Sequence, residues 1–302
     1  LAIESALFTV CLESSCPEST TERVQTFFFD DNRNKWLDKL LSFIVAANGA
    51  SAMFCEHAKL DMPPLRGLLE AVSKATKTST NTSRYSETQG KEELRGYFKF
   101  LPTSIPAELG LHIESVRERF YAQVTGFALT KYSYTGYGAA ALKSRNLSPK
   151  ATVAVILQVA LRRFCGYSPP VCNTLSQYHF KGGRVDLMAA TTPAMVEFCD
   201  ACLDPRMDVG EKRRLLAEAA RSYGQLAALL RWAKGWTRHL FGLSEMVKAD
   251  EEMPGLFKDP VYLRVRPGKA FFTFQKAPGP EMGSTRPVRD GFWISVDVGE
   301  TQ

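Results

Sequence analysis

The stretch FIVAANGASAMFCEHAKLDM, residues 43–62, runs from one apolar segment through Asn-Gly to a second, then to a histidine with an acid four positions on. Residues 40–46, LLSFIVA, and 50–56, ASAMFCE, are strand-compatible, and an intervening Asn-Gly is the strongest short hairpin signal. The two are expected to pair antiparallel, leaving His57 just past the second strand. His57 and Asp61 form a His-x-x-x-Asp pattern. Imidazole titrates near neutrality, so a histidine here can take a proton from a hydroxyl or thiol attacking a carbonyl and return it to the leaving group. The competing reading is a partly buried histidine with a structural role.

Outward from this stretch, PPLRGLLEAVSKAT (63–76) has prolines suited to a helix start and apolar residues at helical spacing. Residues 76–91, rich in Thr, Ser and Asn, read as an exposed loop. A helix is expected over about 107–124, a strand ending in a glycine turn over 126–138, and a buried helix over 148–164 begun by Ser148 and Pro149. Two more helices follow, TPAMVEFCDACL (192–203) and one long helix over 209–241; AFFTFQ (270–275) and GFWISVDV (291–298) return to strand pattern. Hairpins and helices without regular βαβ alternation argue an α+β fold.

The 302 residues, 45% hydrophobic and 23% charged, suit a folded chain of one large or two smaller domains. The net charge of +6 contains no basic block, so nucleic acid is not expected as a partner. No apolar run reaches the length of a membrane span, and no basic segment precedes the opening LAIESALFTV, so neither a spanning helix nor a signal peptide is expected. Seven scattered cysteines, with Cys199 and Cys202 the one close pair, point to a reducing intracellular compartment; cytoplasm, mitochondrion and peroxisome stay open. His112, His179 and His239 lack metal-ligand spacing, no metal is expected, and Trp232 and Trp236 read as core on the long helix. There is no Gly-x-Ser-x-Gly elbow and no Walker phosphate loop. The leucine at residue 1 suggests a processed form or an excised piece.

A series of segments in one order carries a resemblance: FTVCLE (8–13), NRNKWLDKLLSFIVAANG (32–49), AMFCEHA (52–58), LSPKATVAVILQVALRRF (147–164), GGRVDLMAATTPAMVEF (182–198), TRHLFGL (237–243) and RPVRDGFW (286–293). It resembles the choline/carnitine acyltransferase family, in the later part of its catalytic region. The resemblance implies two halves similar to chloramphenicol acetyltransferase, each a mixed sheet packed by helices, with the active site in a tunnel between them. It divides this chain into residues 1–75, the end of the first half with the histidine, a loop or linker over 76–95, and residues 96–302, the second half.

By that resemblance His57 is the base that activates the acceptor hydroxyl, and Asp61 stands where the family has Asp or Glu, with Met62 in place of a glycine. Arg238 matches the arginine that helps hold the acceptor site, and its guanidinium suits a carboxylate; a structural pair with Asp61 is the alternative. Lys143, with Ser148 at the following helix start, matches the side that takes the phosphates of coenzyme A, although Ala139 and Lys150 depart from the pattern. Cys172 and Val185 replace the tyrosine and threonine that bind carnitine's carboxylate. FFTFQKAP (271–278) takes the place of the oxyanion segment, with Thr273 or Gln275 as donor.

The resemblance therefore implies an O-acyltransferase of lipid and fatty acid metabolism. It would move an acyl group from acyl-coenzyme A, used as a substrate with no tightly bound cofactor, or from pantetheine on an acyl carrier protein, to carnitine or a related small alcohol. The alternatives are a release module acylating a polyol or choline within a longer parent chain, and a catalytically degenerate member that only binds.

Overall fold

A computed structural model describes residues 2–30, 33–57, 60–78, 105–126, 128–265, 269–275, 288 and 290–300. The chain forms two compact units, residues 1–131 and 132–302.

The first unit is built on a three-stranded sheet of β1 (Thr9–Glu13), β2 (Leu41–Ala46) and β3 (Ser51–Cys55), after a short α1 (Ala2–Ser5). β2 lies between β1, which it pairs in parallel, and β3, which it pairs antiparallel. The hairpin expected from Asn-Gly is present, and its turn is a three-residue one. Ala46 N–H donates to Ala50 O at 2.8 Å around residues 47–49, and Gly49 takes the left-handed conformation at φ 81°. That is the form in which glycine closes a type I turn with a bulge.

Strand alternation divides the sheet into two faces. Cys11, Ile44 and Ala46 are buried on one, with Phe27 against them. Phe27 and Phe28 reach it from a π-turn, Gln25–Phe29, that continues α2 (Thr20–Val24). A capping box of Ser19 and Glu22 starts α2. The other face carries Val10 and Leu12, both well exposed. α3 (Met62–Thr78) follows β3, running into the segment expected to be loop; that segment lies outside the described residues from 79 onward. α4 (Ala107–Val124) buries none of its side chains.

The second unit has a four-stranded sheet in the order β5-β4-β6-β7: β4 Val171–Ser176, β5 Val185–Ala189, β6 Ala270–Gln275 and β7 Phe292–Asp297. β4 and β5 are antiparallel; β4, β6 and β7 are parallel. Five helices precede β6 in this unit's main body: α5 (Ala139–Lys143), α6 (Pro149–Cys165), α7 (Pro193–Leu203), α8 (Val209–Arg231) and α9 (Thr237–Glu245). The shorter α10 (Gly255–Lys258) and α11 (Pro260–Val265) lead to β6. Ala154, Val155, Met195, Phe198, Ala219 and Leu230 from the helices pack with Val171, Met188 and Phe272 from the sheet as one core. Ser148 and Pro149 do start α6, and Gly166 ends it at φ 78°. The architecture is mixed sheets packed by helices, the α+β class.

Two local expectations fail. Residues 128–137 are exposed, and 128–138 lie outside any strand; Tyr132 is 83% exposed, and alternation without a neighbouring strand gives no ladder. The long helix over 209–241 is two helices. α8 ends in a Schellman motif: Lys234 N–H donates to Leu229 O at 3.1 Å and Ala233 N–H to Leu230 O at 3.0 Å. The motif needs a left-handed residue, supplied by Ala233 at φ 55°. Gly235 follows against the Asp186 carboxylate, where a Cβ would collide. Trp232 and Trp236 flank this break at 67% and 46% exposure, so they are not core residues.

One buried polar pair gives a stability test. Asn173 Nδ2 donates to the Tyr223 hydroxyl inside the core, while Asn173 Oδ1 has no hydrogen-bond partner among the described residues. Burial pushes the Tyr223 phenol up to about 12. Tyr223→Phe takes the phenol away from the buried amide and is expected to destabilise this unit by about 1–3 kcal/mol. Chemical denaturation of the single variant and of Asn173→Leu/Tyr223→Phe checks this, since the double variant should recover part of the loss.

Candidate active site

His57 stands on the turn directly after β3, and Asp61 directly precedes α3. Four positions apart in the sequence, the two come together: His57 Nδ1 lies 3.1 Å from Asp61 Oδ1. Asp61 is 2% exposed, whereas the His57 side chain is 69% exposed, so His57 does not fill the core. A buried carboxylate requires a compensating donor or charge. The imidazole supplies one, and the start of α3 adds the positive end of a helix dipole. With Nδ1–H donating to Asp61, a neutral ring carries its lone pair on Nε2, the atom that can accept a proton. Met62 has helical backbone as the first residue of α3, a conformation that does not call for the glycine expected there. Pro63 and Pro64 fall in the first turn, where a missing N–H costs no helical bond.

Cys55 precedes His57 by two residues on β3. Burial, and then the charges of Glu56 and Asp61, push its thiol above the ordinary range, so it is protonated near neutral pH.

In the second unit, Cys172, Val185 and Thr273 share one face of one sheet. Core residues alternate with them: Val171, Asn173 and Leu175 on β4, Asp186 and Met188 on β5, Ala270 and Phe272 on β6 are buried. Along the opposite face Cys172 lies between Ala189 and Phe271, and Phe271 pairs with Trp293. In the next row Thr174 pairs with Leu187 and Thr273 with Ser295; beyond it Ser176 pairs with Val185. The face thus joins an apolar strip to a hydroxyl-bearing strip formed by Thr174, Ser176, Thr273 and Ser295. Gln275 has its place on β6 beside Asp297.

Arg238 lies in the first turn of α9 and is exposed. Its electrostatic neighbour is Asp186, a buried carboxylate on β5 that the sequence reading did not single out, although Asp186 immediately follows Val185. Burial pushes the Asp186 carboxyl up, and the Leu187 N–H at 2.8 Å and the Arg238 charge pull it partly back. Gln177 ties this carboxylate to the end of α8, its Nε2 donating to Leu230 O at 2.7 Å and reaching Asp186 Oδ2 at 3.5 Å. Lys143 is the last residue of α5, and its ammonium lies 2.6 Å from Glu300 Oε1. Ser148 is exposed at the start of α6, its side chain making no capping bond. Glu300 was beyond the reach of sequence reasoning, being 157 residues from Lys143.

Among the described residues no helix is long and apolar enough to cross a membrane. All seven cysteines are free thiols, and burial pushes Cys199 up to about 11.

The choline/carnitine O-acyltransferase family model matches residues 1–301. The chain is 26% identical, over 99% of its length, to the highly reducing polyketide synthase ltbA of Aspergillus luteorubrus, of which it spans 10%. It is 27% identical, over 98% of its length, to mitochondrial carnitine O-palmitoyltransferase 2 of Mus musculus, of which it spans 45%. Over 76% of its length it is 30% identical to choline O-acetyltransferase of Sus scrofa, spanning 36% of that enzyme. The chain therefore spans less than half of each of these relatives. With the family model covering nearly every residue, the chain belongs to the choline/carnitine O-acyltransferase family.

Proposed function

We propose that this chain carries the catalytic histidine and acceptor elements of an O-acyltransferase that moves an acyl group from a pantetheine thioester, as acyl-coenzyme A or on an acyl carrier protein, to the hydroxyl of carnitine or a related small alcohol. The observation that carries the reading is the His57 Nδ1 to Asp61 Oδ1 contact of 3.1 Å, with Asp61 buried and His57 exposed. His57 Nε2 takes the proton of the acceptor hydroxyl as its oxygen attacks the thioester carbonyl. A C–O bond forms, and the Thr273 hydroxyl donates to the resulting oxyanion. Collapse breaks the C–S bond, and the thiolate takes the proton back from His57, leaving ester and free thiol.

The acceptor side uses Arg238, Cys172 and Val185. Cys172 and Val185 supply neither of the hydroxyls expected for a carnitine carboxylate, and Arg238 already has Asp186 as electrostatic neighbour. Both points weigh against carnitine itself. A second reading, release of an acyl group from a carrier onto an uncharged polyol, is favoured by the hydroxyl-bearing strip of Thr174, Ser176, Thr273 and Ser295. The match to a polyketide synthase over 99% of this chain points the same way. A degenerate, binding-only domain is the reading both must beat.

The test is product formation by the full-length protein from octanoyl-coenzyme A and from an octanoyl carrier protein, with carnitine, choline or glycerol. Ester formed with any of them supports transfer and names the acceptor class; no ester with any donor and acceptor leaves the binding-only reading. Thr273→Val is expected to lower kcat by about a hundredfold, as loss of one oxyanion donor does. An unchanged kcat would remove Thr273 from the mechanism.

A further inference from the structure

Lys143, the cation that the family resemblance sets on the coenzyme A side, is already engaged. The chain beyond β7 folds back along α5. Ala139 N–H donates to Gly299 O at 2.9 Å and Ala140 N–H to Glu300 O at 3.0 Å. At the other end of this five-residue helix the Glu300 carboxylate meets the Lys143 ammonium at 2.6 Å. Glu300 thus holds the first turn of α5 through its backbone and the last through its side chain, and the two backbone bonds fix where the carboxylate lies. The Lys143 and Glu300 side chains are 56% and 70% exposed, so an anion arriving from solvent can reach the ammonium by displacing one carboxylate. A carboxylate oxygen at this distance makes the charge-assisted contact that a phosphate oxygen would make. The position four residues before Lys143 is Ala139, which adds no second cation.

We propose that Glu300 is a donor-specificity residue: it competes with the phosphate groups of coenzyme A for Lys143, and so shifts preference toward thioester donors whose pantetheine arm does not depend on that lysine. The inference rests on Lys143 being the donor-side cation. Removing the carboxylate frees the ammonium for phosphate and leaves the neutral pantetheine arm unaffected. Because exposed ion pairs are weak and screened, the expected gain is about threefold to fivefold in affinity at low salt.

The experiment is calorimetric titration of the full-length protein with coenzyme A and with pantetheine at low ionic strength, for wild type, Glu300→Gln, Lys143→Ala and the double variant. Glu300→Gln is expected to tighten coenzyme A about threefold to fivefold and leave pantetheine unchanged, with the gain absent once Lys143 is also replaced. The proposal is overturned if Glu300→Gln binds coenzyme A no tighter, if both ligands tighten alike, or if the gain survives without Lys143. Affinity is read here without turnover. A protein that shows this pattern yet transfers no acyl group refutes the catalytic reading alone, and turnover with an unchanged coenzyme A affinity refutes this inference alone.

Discussion

Asp61→Asn is expected to lower kcat by about a hundredfold or more while leaving the fold and the KM for the thioester nearly unchanged. The substitution keeps the shape of a side chain that is 2% exposed, so the packing where β3 meets α3 survives. What changes is the partner that His57 Nδ1 meets at 3.1 Å. A carboxylate only accepts, which holds the imidazole proton on Nδ1 and the lone pair on Nε2. An amide can also donate, and an Asn nitrogen turned toward Nδ1 places the ring proton on Nε2, where it blocks proton acceptance from an alcohol. Steady-state kinetics with circular dichroism as the folding control measures this, and nitrogen chemical shifts of the imidazole report the tautomer directly. Asp61→Glu should keep part of the activity, since it keeps an accepting carboxylate. Full activity in Asp61→Asn would mean that Asp61 serves only the local fold.

The hairpin and the histidine that follows it were legible because both signals are local. Asn-Gly demands a turn, apolar runs demand strands, and His57 and Asp61 are close enough in sequence for one turn and one helix start to join them. The helix starting at Ser148-Pro149 was legible for the same reason. The break between α8 and α9 was not. Its left-handed residue is Ala233, where glycine is the usual signal, and the reason for Gly235 is the Asp186 carboxylate on a distant strand.

Likewise Tyr132 and Tyr134 alternate as a strand would, yet a strand needs a partner, and partners are set by topology. Of the residues proposed for the site, Cys172, Val185 and Thr273 were singled out one at a time. That they share a face with Thr174, Ser176 and Ser295 follows from registers among β4, β5, β6 and β7, which no local pattern encodes. Asp186 was hidden for a different reason. A carboxylate beside a valine on a strand reads as solvent-facing, and only the packing of α9 against β5 makes it the buried counter-charge of Arg238.

His57→Ala carries the largest expected effect. General acid–base catalysis by one positioned side chain contributes about 10²–10⁴-fold, and here the same group takes the proton from the alcohol and gives it to the thiolate, so both halves of the transfer lose it. Its side chain is 69% exposed, so truncation leaves no buried cavity; because the buried Asp61 carboxylate loses the imidazole beside it, circular dichroism serves as the folding control for the variant. The decisive measurement is free thiol released from octanoyl-coenzyme A or an octanoyl carrier protein by the full-length protein, with and without the acceptor alcohol, beside His57→Ala. Release that requires the acceptor, and falls by about a thousandfold in the variant, is the predicted result. Equal release by wild type and variant, or release without acceptor together with an acylated protein, would contradict His57 as the base of a direct transfer.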